Sequence, residues 1–189
     1  ERLVAGLSAR TYESVSSEVL TARPSLLGAP PSEWRHDWAD RLLGANEVGQ
    51  LVESGWLALE RAIDPQLATA AGAELREHHL RGRLKQSFSP LNYGAKSCWL
   101  QWGSEEEKAH VRLCYPSLFE VATLLSGLPS ALVANDASGL LAGLRVDTTV
   151  KVSTHEPGVR HGPHLDSYGG DSNFRMVTCL LYVNASDFS

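Results

Sequence analysis

The stretch Thr154-His155-Glu156-Pro157-Gly158-Val159-Arg160-His161-Gly162-Pro163-His164-Leu165-Asp166-Ser167 decides how this chain is read. It concentrates three of the seven histidines beside an aspartate. Directly before it, Arg145-Val146-Asp147-Thr148-Thr149-Val150-Lys151-Val152-Ser153 alternates polar and apolar side chains, as a half-buried strand does. Strand side chains point to opposite faces in turn, so His164 and Asp166, two apart at a strand end, go to one face.

An imidazole and a carboxylate together suit a divalent metal of intermediate softness. Two histidines and one carboxylate on one face of an octahedron hold non-haem Fe(II) and leave positions open for a co-substrate and dioxygen. The His-x-Asp spacing alone is a weak signal, because it arises often by chance. His161 and His164 also suggest a zinc pair. On a strand, however, residues three apart face opposite sides, so joint ligation needs a bent backbone.

Working outward, Arg175–Val183 is a second β-rich run. Upstream, residues 38–53 read as a helix, with Trp38, Leu42, Leu43, Val48, Leu51 and Val52 near one stripe. Gly55 ends it, and Gly55–Ile63 reads as a strand. Asp64-Pro65 is a helix start, since Asp caps and Pro fits the first turn. That helix runs to about His79, with Leu67, Ala71, Leu75 and His78 inward. Gly82–Gly94 reads as loop and Ser97–Trp102 as a short strand. Glu105–Glu107 open a solvated helix, and Pro116 opens another through Leu125. His78-His79 and His110 are expected on helix faces or the surface. Helices precede most strands, which predicts an α+β plan with helices packed on an antiparallel sheet. Residues 1–35 read as a peripheral arm. A short helix is expected around residues 12–21, prolines break the remainder, and Trp34 and Trp38 dock the arm onto the domain.

Composition narrows the classes. The chain has 189 residues, 43% of them hydrophobic, 21% charged, and a net charge of −5. This balance excludes collagen, a disulfide-stapled toxin and a wholly disordered chain. A basic surface is the usual mark of a general nucleic-acid binder, so no nucleic acid is expected. No run of about 18 apolar residues is evident, so no membrane partner is expected. Three cysteines in no CxxC pattern suit a reducing compartment, cytoplasmic or nuclear. Asn184-Ala185-Ser186 matches the glycosylation triplet, which chance also produces.

The 154–167 stretch resembles the prolyl-hydroxylase-like branch of the 2-oxoglutarate and Fe(II)-dependent oxygenases. That family carries an aromatic residue, Pro-Gly, a second aromatic, a proline directly before the ligand histidine, and then x-Asp. Here these are His155, Pro157-Gly158, His161, Pro163, His164 and Asp166. The family's next strand has Arg, Thr and a Tyr-x-Asn ending, matched by Arg175, Thr178 and Tyr182-Val183-Asn184. Cys98-Trp99-Leu100 and the Asp64-Pro65 helix also fit. The resemblance covers roughly residues 38–189 and is closest to the oxygen-sensing type.

The resemblance implies a double-stranded β-helix (jelly-roll) core over residues 36–189, with N-terminal supporting helices. It implies His164 and Asp166 as two of three iron ligands. Tyr182 would bond the distal carboxylate of 2-oxoglutarate, Thr178 would line the pocket, and Arg175 would lie near the substrate mouth. His155 stands where the family has a tyrosine near the co-substrate, a departure that puts a titratable ring there. Implied reactants are Fe(II), 2-oxoglutarate, dioxygen, ascorbate and a proline-containing protein or peptide, giving succinate and CO2.

The family's third ligand, a histidine, and its basic residue for the co-substrate both come well after the aspartate. Only 23 residues follow Asp166, with no histidine, no lysine and one arginine, Arg175. The expectation is therefore a domain whose C-terminal strands lie outside this sequence, inactive as it stands. The rival expectation is a β-domain that keeps its surface as a binding or scaffold module without turnover. A zinc hydrolase using His161, His164 and Asp166 is a third.

Overall fold

A computed structural model describes residues 37–86, 94–159 and 176–183. Among the described residues, six helices and three strands follow in the order α1 (Trp38–Leu42), α2 (Ala45–Ser54), α3 (Pro65–Leu80), β1 (Lys85–Gln86), β2 (Lys96–Gln101), α4 (Glu105–Cys114), α5 (Pro116–Leu125), α6 (Leu128–Asn135) and β3 (Thr149–Thr154). The strands form one antiparallel sheet in the order β1-β2-β3, with β2 central.

Local chemistry sets the helix boundaries. Asp64 Oδ1 accepts from the backbone N–H groups of Gln66 and Leu67 at 2.7 and 3.2 Å, and Pro65 takes the first turn of α3. At α4, Ser104 and Glu107 form a reciprocal capping box, with bonds of 3.1 and 2.9 Å. Gly55 closes α2 at φ 76°, a left-handed conformation that costs glycine little. The expected single helix over 38–53 is instead two, because Leu43 and Gly44 leave helical geometry between α1 and α2.

The expected strand Gly55–Ile63 is not one. The segment is irregular and turns at Glu60–Arg61, where Arg61 has φ 53°. Its alternation has a different cause. Leu57, Leu59 and Ile63 dip into the core, and the Trp38 indole N–H donates to the Ala62 carbonyl at 2.7 Å. β1 also lies inside the expected 82–94 loop, because Lys85 and Gln86 find a partner in β2.

The core fills the space between the helices and one face of the sheet. Ala71, Leu75 and His78 of α3 are buried at i, i+4 and i+7, and α3 packs on β3 and α5. Residues Pro116–Asn135 are apolar and long enough to cross a membrane by length and composition. In the fold they are two helices interrupted at Ser126–Gly127, and Phe119, Ala122 and Ala131 are at most 4% exposed in the core, which accounts for their apolarity.

Residues 176–183 carry no strand assignment, yet they alternate. Val177, Cys179, Leu181 and Val183 pack against the core, while Met176 and Tyr182 are exposed. They pass so close to α3 that a Cβ on Gly72 would stand 2.7 Å from the Val183 carbonyl oxygen.

Candidate functional site

The chain leaves β3 at Thr154 and turns at once. The Val159 N–H donates to the Glu156 carbonyl at 3.1 Å, and Gly158 between them has φ 86°. Pro157 presets the first corner and Gly158 accepts the left-handed second, which is why Pro-Gly suits this turn.

A polar latch ties this exit to the helices. His79, in the last turn of α3, has its Nδ1 2.6 Å from the Thr154 hydroxyl and its Nε2 3.2 Å from Lys96 Nζ. A lysine ammonium only donates, so the tautomer with its hydrogen on Nδ1 satisfies both neighbours, Nε2 accepting from Lys96 and Nδ1 donating to Thr154. Lys96 also donates to Glu156 at 2.9 Å, and Glu156 lies 3.5 Å from His79 Nε2. The Lys96 ammonium beside Glu156 holds that carboxyl below its ordinary range. Sequence reasoning missed this latch. Lys96 and Thr154 are 17 and 75 residues from His79, Glu156 lies farther still, and adjacent histidines in a helix carry no signal of such partners.

The sheet has two faces. Cys98, Leu100, Val150 and Val152 face the helices and pack on the core. On the other face Trp99 stands opposite Lys151, whose ammonium is 5.7 Å from the indole centroid. His155 follows in the same alternate set as Lys151 and Ser153. Partial burial, and then the Lys151 ammonium, hold its imidazole below the ordinary histidine range. Thr178 and Tyr182 likewise alternate with the core-facing residues of their segment, and Tyr182 is exposed.

His164, Asp166, Arg175 and His161 lie outside the described residues. Among the described residues no group of three or more His, Cys, Asp or Glu side chains is arranged to hold a metal. An imidazole and a carboxylate, the donor types of His164 and Asp166, suit Fe(II) in kind.

The remaining polar centre serves the core. Glu74 of α3 accepts from the Ser117 N–H at 2.7 Å, capping α5, which has no cap of its own. Burial raises its pKa against these bonds. His78 lies against the Tyr115 ring at 4.3 Å, and burial lowers its pKa. Burial pushes the Cys98 thiol up to about 11 and Cys179 to about 12, so neither is a thiolate nucleophile at neutral pH. No protein-family model, curated protein or solved structure matches the chain.

Proposed function

We propose that this chain contributes His164 and Asp166 to the iron site of a 2-oxoglutarate-dependent dioxygenase that hydroxylates a protein substrate at proline. The observation that carries the proposal is the alternation of two segments. Thr178 and Tyr182 take the positions in 176–183 that the core-facing residues leave, and His155 continues the open-face set of β3. These three residues flank the 160–175 stretch that holds His164 and Asp166.

Bound Fe(II) would activate dioxygen and drive the oxidative decarboxylation of 2-oxoglutarate to succinate and CO2. The chain's own groups bind and orient. The Tyr182 hydroxyl donates to the distal carboxylate of 2-oxoglutarate, and Thr178 lines the same side. His155 offers one ring nitrogen to the co-substrate, with Lys151 favouring its neutral form. Arg175 draws the peptide to the mouth. The His79–Lys96–Glu156 latch fixes the start of the ligand-bearing stretch.

Titration with Mn(II) followed by calorimetry tests the ligands without turnover. Wild type binds, while His164→Ala and Asp166→Ala lose at least about 10-fold in affinity, the usual order for a lost support of a metal site. Succinate release with Fe(II), 2-oxoglutarate and proline-containing peptides tests the activity. No metal binding and no succinate would sink the proposal.

A further inference from the structure

α4 brings an imidazole and a thiol together. His110 Nε2 stands 3.8 Å from Cys114 Sγ, one helical turn further on. Two ligands of a tetrahedral zinc, at about 2.3 Å for sulfur and about 2.0 Å for nitrogen, stand about 3.5 Å apart. The pair therefore has nearly the separation that a shared zinc imposes. Structural zinc sites also space two ligands by a three-residue gap. His110 is exposed, Cys114 is half-buried, and Leu113 beside them is 67% exposed, whereas Val111 points into the core. The three cysteines differ in their readiness to ligate. Burial holds Cys98 and Cys179 as thiols, at about 11 and about 12. Burial also raises Cys114, but less of it is covered and the Arg83 guanidinium works the other way. Cys114 is the cysteine best placed to give up its proton to a metal.

Two ligands do not close a structural zinc site, which takes four. Among the described residues, no third His, Cys, Asp or Glu joins this pair. A twofold axis through the ion supplies the remainder, because it presents the same pair again. Two thiolates and two imidazoles are a known zinc set, and the two thiolates neutralise the ion. The same contact covers Leu113. We propose that His110 and Cys114 are half of a zinc site, completed by the same two residues of a second copy of this chain. Each thiol releases its proton to solvent and ligates as thiolate. Each imidazole ligates through Nε2, with its hydrogen on Nδ1. The set is independent of the iron reading of His164 and Asp166, which uses no sulfur.

Titration of the whole chain with Zn(II) and with Co(II), under a non-thiol reductant, tests this. Co(II) is expected to bind as one ion per two chains, with thiolate-to-cobalt charge-transfer absorption. Sedimentation is expected to show a dimer with Zn(II) that returns to monomer on chelation. Cys114→Ser removes the absorption and the dimer. His110→Ala removes the dimer and weakens Co(II) binding at least about 10-fold, the order lost with even a supporting residue of a metal site. His110 is exposed, so His110→Ala decides alone if Cys114→Ser does not fold. The double variant His164→Ala/Asp166→Ala keeps both signals while losing Mn(II) affinity, which separates the two claims. Absence of the charge-transfer absorption, one chain per ion, a dimer that persists in chelator, or loss of both signals in the His164 and Asp166 variant would overturn the inference.

Discussion

The two faces of the three-stranded sheet share their backbone and differ in everything else. Leu100 on the helix side is 2% exposed, with Cys98, Val150 and Val152 as apolar neighbours. One residue away, Trp99 faces Lys151 on the open side. A period of two gives one strand a core-facing surface and a second surface of different chemistry. The difference teaches where change is tolerated. The helix side sets most of the stability, and the other side tolerates change better.

The sharpest way to break this comparison is a pair of alanines on β2. Leu100→Ala empties a closed site and is expected to cost about 2–5 kcal/mol in urea unfolding. Trp99→Ala, on the open face, is expected to cost under about 1 kcal/mol, since it surrenders a cross-strand pair and one cation contact. Equal losses would show that the open face is covered as tightly as the other.

A second pair sharpens the account of residues 176–183. Gly72→Ala places a methyl group 2.7 Å from the Val183 carbonyl oxygen. It is expected to destabilise by about 1–3 kcal/mol, as overpacking does. Gly49→Ala in α2 meets nothing within 4 Å. It is expected to stabilise by about 0.5–1 kcal/mol, the ordinary helix preference of alanine. If Gly72→Ala behaves like Gly49→Ala in chemical denaturation, the 176–183 segment does not press on α3, and Tyr182 loses its reason to face outward.

A smaller effect belongs to a helix boundary, the start of α4. Ser104→Ala removes one half of the capping box at α4 and is expected to cost about 1 kcal/mol by thermal unfolding. No loss would mean that Glu107 alone satisfies the end.

Those boundaries were legible because their causes are local. Asp64-Pro65, the Glu105–Glu107 run and Pro116 act within one turn of themselves, whereas the Ser104 cap of α4 was not singled out. The alternation of Ser97–Trp102 survives as β2, whereas of Arg145–Ser153 only the part from Thr149 is strand, in β3, and residues 145–148 are irregular. What failed needed distant information. Gly55–Ile63 has the period of a strand, but a strand is made by a partner, and here helices take the apolar side chains instead. The candidate site divides likewise. His155, Thr178 and Tyr182 were singled out from a resemblance carried by spacing. The latch joining His79, Thr154, Lys96 and Glu156 exists only through contacts across the fold.

The smallest effect expected is a slope in pH. His78 is 5% exposed against Tyr115, and burial, followed by Arg83, lowers its pKa from the ordinary value of 6.5. A histidine depressed in the folded state stabilises above 6.5, and that contribution is lost as pH falls through its folded value. Urea midpoints should therefore decline as pH drops below 6.5, ahead of the carboxylate range where Glu156, Glu105 and Asp136 lose their favourable bonds. His78→Phe keeps a ring against Tyr115 and removes the charge. It should flatten much of that decline, leaving the part due to His155, whose pKa is lowered in the same direction. A variant with an undiminished slope would put the acid sensitivity on the open face, at His155, and reverse the division of labour between the two sides of the sheet.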